Sequence, residues 1–217
     1  MAPVARFYRV ARDTMRAGTE NWRETLGAFY TNITLKGPTQ AAVLTYLRAQ
    51  GRDAYVAPTI GDVTLVYDLA CESQDLRILS TLAASLSRAF MCPALGALVH
   101  DDDFLVYALF QDGAQVDEYN SDPTYFEGER TTPPSGGDAN ALCAAFGAGP
   151  AVERVEAILR AWPGPNGDPG ASPYLFAQFR HSDLARALGL PERLCILGYL
   201  YVEQGDAETP GIVKTQP

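Results

Sequence analysis

The chain has 217 residues and a formal net charge of −9, with 47% hydrophobic and 20% charged residues. A chain of this length buries roughly 70% of its unfolded surface, so a packed core needs neither metal nor disulfide. The balance excludes an intrinsically disordered chain, and no apolar run reaches the ~18 residues of a membrane span.

In chain order, residues 1–28 read as an N-terminal extension. Val4, Phe7, Tyr8, Ala11 and Met15 fall at helical spacing beside Arg6, Arg9, Arg12 and Arg16, without the apolar stretch of a secretory signal. A strand is expected over Tyr30–Leu35. Thr39 then opens a helix striped by Val43, Leu44 and Leu47 and closed near Gly51. Strands follow at Ala54–Ala57 and Val63–Asp68. A long helix capped by Ser73 carries Leu76, Leu79, Ala83, Leu86 and Phe90, and Cys92-Pro93 stops it. Strands at Leu95–Val99, Phe104–Phe110 and Gln115–Tyr119 are separated by the turns Asp101–Asp103 and Asp112-Gly113.

The later part reads as helical. Ser135 through Asp138 has capping-box spacing and leads into Leu142, Cys143 and Phe146. Pro150 opens a helix with Val152, Val155, Ile158 and Leu159, braced by Glu156 and Arg160 at i, i+4. After the Gly/Pro-rich loop 163–173, Ser172-Pro173 starts a helix that ends at Leu188-Gly189-Leu190-Pro191. Leu194–Val202 is apolar on both faces and is expected to be a buried strand rejoining the first sheet. Residues 204–217 read as a flexible tail.

The expected fold is therefore α+β: a mixed or antiparallel sheet with a ferredoxin-like β-α-β-β-α-β core and an added hairpin, plus a helical C-terminal part that returns one strand. Residues 29–203 form one domain in this reading, with the sheet core at 29–130 and the helical part at 131–203. The four cysteines, Cys71, Cys92, Cys143 and Cys195, show no C-x-x-C spacing, which suits reduced, buried thiols in a cytoplasmic protein.

Charge is unevenly placed. Asp101 to Glu129 holds nine carboxylates and no Lys or Arg, while the remainder balances at 17 of each sign. Such a field repels phosphate backbones and disfavours nucleic acid as a partner; a membrane is not expected either. Two functional readings follow. In the first, a non-catalytic binding or regulatory protein, immunity- or inhibitor-like, meets a basic protein partner through Asp101, Asp102, Asp103, Asp117, Glu118, Tyr119, Asp122, Tyr125 and Phe126. Rings set among charges in a loop give contact area at small entropy cost. In the alternative, a metal-dependent enzyme uses His100 and Asp102 at the same turn, since imidazole and carboxylate suit divalent cations. Strand residues alternate faces, so such a site needs a ligand from elsewhere. The first reading requires no cofactor.

Two further motifs carry little chemistry. His181 lies between Arg180 and Ser182-Asp183, but a catalytic triad is assembled from separated segments and no G-x-S-x-G elbow is present, so a helix-surface or helix-start histidine is expected. Pro133 to Gly137 is glycine-rich ahead of a helix yet lacks a phosphate-loop lysine.

Cys92-Pro93, Val99-His100-Asp101-Asp102-Asp103, the run Asp117-Glu118-Tyr119-Asn120-Ser121-x-Pro123-x-Tyr125-Phe126, Pro134–Asp138 and Leu188–Pro191 together resemble an uncharacterised bacterial protein family of unknown function. The resemblance covers most of the chain from about Phe29 and implies a shared fold without an activity.

Overall fold

In the computed structural model the described residues are 27–127, 132–162, 164, 174–205 and 210–216. The readings placed on 1–26, on most of 163–173 and on the Ser172-Pro173 helix start lie outside them. Among the described residues, eight strands are β1 (Tyr30–Lys36), β2 (Ala54–Val56), β3 (Val63–Asp68), β4 (Pro93–His100), β5 (Phe104–Gln111), β6 (Ala114–Asn120), β7 (Ser135–Gly136) and β8 (Val213–Lys214). They form a single sheet in the order β7-β6-β5-β4-β1-β3-β2-β8, and every pairing is antiparallel. The α-helices are α1 (Gln40–Ala49), α2 (Leu76–Phe90), α3 (Ala139–Phe146), α4 (Val152–Arg160), α5 (Ala177–Ala187), α6 (Glu192–Cys195) and α7 (Tyr199–Glu203).

The sheet is covered on both faces, and the alternation of β5 displays it. Phe104, Val106, Ala108 and Phe110 join Leu44, Leu47, Leu79 and Leu86 of α1 and α2 in one core. Leu105, Tyr107 and Leu109 join Leu142, Leu159, Leu184 and Cys195 of the later helices in the other. The two cores place 29–130 and the helical part against one another through a shared sheet. All four cysteines are buried and unpaired.

The helix-start signals are partly relocated. Thr39 caps α1 by accepting from the Ala42 N–H, as its position predicts. Asp75, not Ser73, caps α2 through the Arg77 N–H (2.9 Å); Ser73 lies in the preceding 3-10 turn and donates to the Ala70 carbonyl. Asp138 is itself the cap of α3, holding the Asn140 and Ala141 N–H groups, while Ser135 belongs to β7. Carboxylate and hydroxyl caps are chemically alike, so spacing alone leaves the choice open.

The largest correction concerns the C-terminal end. Leu194–Val202 is not a strand: it comprises the end of α6 and most of α7, broken at Gly198. A short run apolar on every side fits buried helical turns as well as a buried strand. These turns are sewn to β1, where Asn32 Nδ2 donates to the carbonyls of Cys195 (2.6 Å) and Leu197 (2.9 Å). At Gly198 an added Cβ would stand 2.8 Å from the Tyr30 Cβ and from Glu72 Oε1, so the close approach itself calls for glycine. The strand that does return to the sheet is β8, inside the stretch read as a tail. Thr215 Oγ1 accepts the Ala54 N–H (3.0 Å) and donates to the Arg52 carbonyl (2.7 Å). Lys214 sits 3.0 Å from Glu203 and over the rings of Tyr55 and Tyr199.

Candidate functional site: the acidic turn and its aromatic flanks

The β4–β5 hairpin turns through Asp101 and Asp102 with φ of 50° and 58°, a left-handed region that aspartate tolerates better than most residues. Each of the three aspartates takes a different structural partner. Asp101 Oδ1 accepts the Gly27 N–H (3.1 Å). Asp102 Oδ1 accepts the Gln178 N–H (2.8 Å), and its carbonyl accepts the Ala177 N–H (2.7 Å), so this residue caps the start of α5 from across the fold. Burial, then the neighbouring aspartates, push the Asp102 carboxyl up, against the pull of the Gln178 N–H. Asp103 Oδ2 accepts the Tyr125 hydroxyl (2.9 Å).

His100 closes β4 inside a group of rings. Its imidazole stacks on Phe104 (5.2 Å between centroids) and meets Phe29, Tyr125 and Phe126 edge-on at 4.9, 5.8 and 5.7 Å. Nδ1 lies 2.7 Å from Gln74 Oε1, and the Gln74 amide donates in turn to the Val99 carbonyl (3.0 Å). An amide oxygen only accepts, so Nδ1 carries the proton. Desolvation lowers the His100 pKa, opposed by Asp101 and Asp103. His100 and Asp102 thus spend their polar atoms in different directions, and among the described residues no three His, Cys, Asp or Glu side chains gather as a metal-binding group.

The remaining predicted residues divide. Tyr125 and Phe126 follow β6 in a 3-10 turn and return to the acidic turn, with Tyr125 half-buried against Phe104 and Phe126 exposed at 64%. Asp122 is buried at the edge of a crevice that also meets Asp103. Asp117, Glu118 and Tyr119 lie elsewhere: Asp117 pairs with Leu109, about 17 Å along β5 from the turn at the usual strand rise. Asp117 accepts the Tyr107 hydroxyl and the Asp138 N–H, both at 2.8 Å, and fastens α3 to the sheet. Glu118 is exposed and accepts from Gln115 (2.9 Å). Tyr119 is 1% exposed, donating to the Leu159 carbonyl (2.8 Å) and accepting from Arg180 (2.5 Å).

A second set of aromatics, which linear sequence does not connect to the turn, stands on its other flank. Trp162, Tyr174, Phe176 and Arg180 line the crevice with Asp103 and Asp122. Leu175 (74%), Phe176 (42%) and Phe179 (57%) are exposed where α5 begins. Arg180 does not offset the acidic field at the surface. It is buried under the Tyr174 ring (5.0 Å) and ties off the end of α4 through the carbonyls of Ile158 (3.2 Å) and Ala161 (2.7 Å). The corner therefore combines carboxylates with exposed apolar rings and presents no cation of its own between Asp101 and Glu127.

His181 is not on the helix surface: it sits in the middle of α5, 3% exposed, with Nδ1 3.0 Å from the Tyr30 hydroxyl and its ring stacked on that tyrosine. Burial pushes its pKa down to about 4. Its sequence neighbours turn elsewhere: Ser182 donates to Glu192, and Asp183 accepts from Arg186 and Tyr174. Ahead of α3, Asp138 places its own carboxylate where an anion would sit, and Arg160 holds the carbonyls of Gly136 (2.6 Å) and Gly137 (2.5 Å). No helix of the described residues is long and apolar enough to cross a membrane. Comparison with protein-family models, with curated proteins and with solved structures returned no match.

Proposed function

We propose that this chain is a non-catalytic binding or regulatory protein whose acidic β4–β5 turn and flanking rings receive a basic protein partner. The observation that carries the reading is the exposure of Phe126 on one side of Asp101–Asp103 and of Leu175, Phe176 and Phe179 on the other. Exposed rings beside charge supply the apolar contact that holds a complex, while the carboxylates steer its approach. The structural duties of Asp101, Asp102 and Asp103 support a turn held in one shape before a partner arrives, which lowers the ordering cost of association. Relative to the sequence reading, the proposed surface moves away from Asp117, Glu118 and Tyr119 and takes in the start of α5.

The reading places the site on a ferredoxin-like unit, supported by the element order from β1 to β4 and by the sheet order β4-β1-β3-β2. The β5–β6 hairpin extends that unit, and the turn before β5 carries the site. A cytoplasmic location, suggested by four unpaired thiols, belongs to the same proposal.

The test is capture of partners from the native host at low and high salt, with association kinetics on any protein recovered. A basic partner whose association rate falls steeply with ionic strength is the expected result. Recovery only of partners insensitive to salt would refute the steering role of the turn.

A further inference from the structure

We infer that the chain's own residues 4–16 dock on this corner, occupying in cis the surface that a basic partner would take. As regulation of that site, the inference rests on the binding reading above; as a contact within the chain, it stands alone. Three observations carry it.

The chain enters the described fold at the corner itself. The Gly27 N–H donates to Asp101 Oδ1 (3.1 Å), the Ala28 carbonyl accepts the Asp102 N–H (2.9 Å), and Phe29 packs edge-on against His100. The fit there is tight, since a Cβ on Gly27 would lie 2.1 Å from the Asp101 carbonyl oxygen. The residues before Gly27 therefore start beside the acidic turn, and their number gives them the reach to cross the corner even at a helical rise of about 1.5 Å per residue.

Charge is complementary. Residues 4–16 carry Arg6, Arg9, Arg12 and Arg16 against Asp13 alone, and the stretch from Asp101 to Glu129 has no cation. Apolar character is complementary too: Val4, Phe7, Tyr8, Ala11 and Met15 recur at the spacing of a single helical face, and the corner offers Phe126, Leu175, Phe176 and Phe179. An amphipathic basic segment tethered next to an acidic apolar surface meets it at an effective concentration of about millimolar, so even weak intrinsic affinity gives substantial occupancy.

The experiment uses the full chain. A photo-reactive benzoylphenylalanine replaces the exposed Phe179, and crosslinked peptides are mapped at high dilution. Crosslinks within one chain to residues 4–16 are expected, falling several-fold when Arg6, Arg9, Arg12 and Arg16 are all changed to Glu. Crosslinks to other residues only, or between chains, would overturn the inference; the latter would make a second copy the occupant. In parallel, an oligo-arginine peptide is titrated against both chains. Relief of competition predicts about tenfold tighter binding to the charge-reversed chain. Cis crosslinks with no peptide binding by either chain would leave the inference standing and sink the binding reading. Equal peptide binding by both chains, without the crosslinks, would do the opposite.

Discussion

His181 should make the fold lose stability in mild acid, and the size of the loss follows from its burial. The imidazole is 3% exposed between α5 and β1, and its pKa falls to about 4, against about 6.5 in an unfolded chain. The folded pKa is the lower of the two, so the contribution is full above about pH 6.5 and is lost as pH falls toward 4, because the unfolded chain takes up the proton first. By linkage the loss at pH 5 is about 2 kcal/mol relative to neutral pH. Glu72 acts in the opposite sense across the same window. Its carboxyl, which accepts the Tyr199 N–H (2.8 Å) at the start of α7, is raised by burial to about 7. Its folded pKa lies above the unfolded one, so it favours folding at low pH and loses that contribution as pH rises toward 7. The wild-type pH profile mixes the two, and His181→Asn separates them, since the amide can still meet the Tyr30 hydroxyl. Urea unfolding of both chains at neutral pH and at pH 5 should show the gap between them shrinking by about 2 kcal/mol on acidification. A gap independent of pH would refute the assignment of a buried, neutral imidazole.

Gly198→Ala would force a methyl to within 2.8 Å of Tyr30 and Glu72, with an expected cost of about 1–3 kcal/mol in urea unfolding. An unchanged midpoint would show that α7 does not press on β1. Thr215→Val removes both hydrogen bonds of the Thr215 hydroxyl to the β2 end of the sheet, leaving the backbone pairing in place, and should cost about 1–3 kcal/mol. The Ala54 amide should then exchange with solvent markedly faster, whereas no change at Ala54 would mean that β8 is not held in the sheet.

The elements legible in the sequence are those whose periodicity is unambiguous. The α2 stripe at Leu79, Ala83 and Leu86, the Asp112-Gly113 turn with φ of 54° and 86°, and the alternation along β5 all follow from local pattern. Leu194–Val202 misleads because apolar residues on every side erase the period; Pro191-Glu192, a helix-start pair, and the break at Gly198 are the signals that favour short helices. Strand β8 is only Val213 and Lys214, too short for any pattern, and the side chains of Thr215 and Lys214 add to its brief backbone pairing with β2. For the site, the acidic run and Phe126 are visible in linear sequence. The partnership of Asp102 with α5 is not, because it joins residues brought together only when the helical part folds onto the sheet. The same packing carries Phe176, with Phe179 against its ring, to the crevice beside the turn and draws Tyr119 into the core.

The central claim is that the rings flanking the acidic turn form a binding surface rather than incidental exposure. It is tested most directly by changing Phe126 and Phe179, both largely exposed, to Ser in one chain and comparing partner capture from the host with that of the wild type at low salt. Thermal unfolding should be nearly unchanged, while a basic partner held by the wild type is lost from the variant. The same partner captured equally by both chains would contradict it.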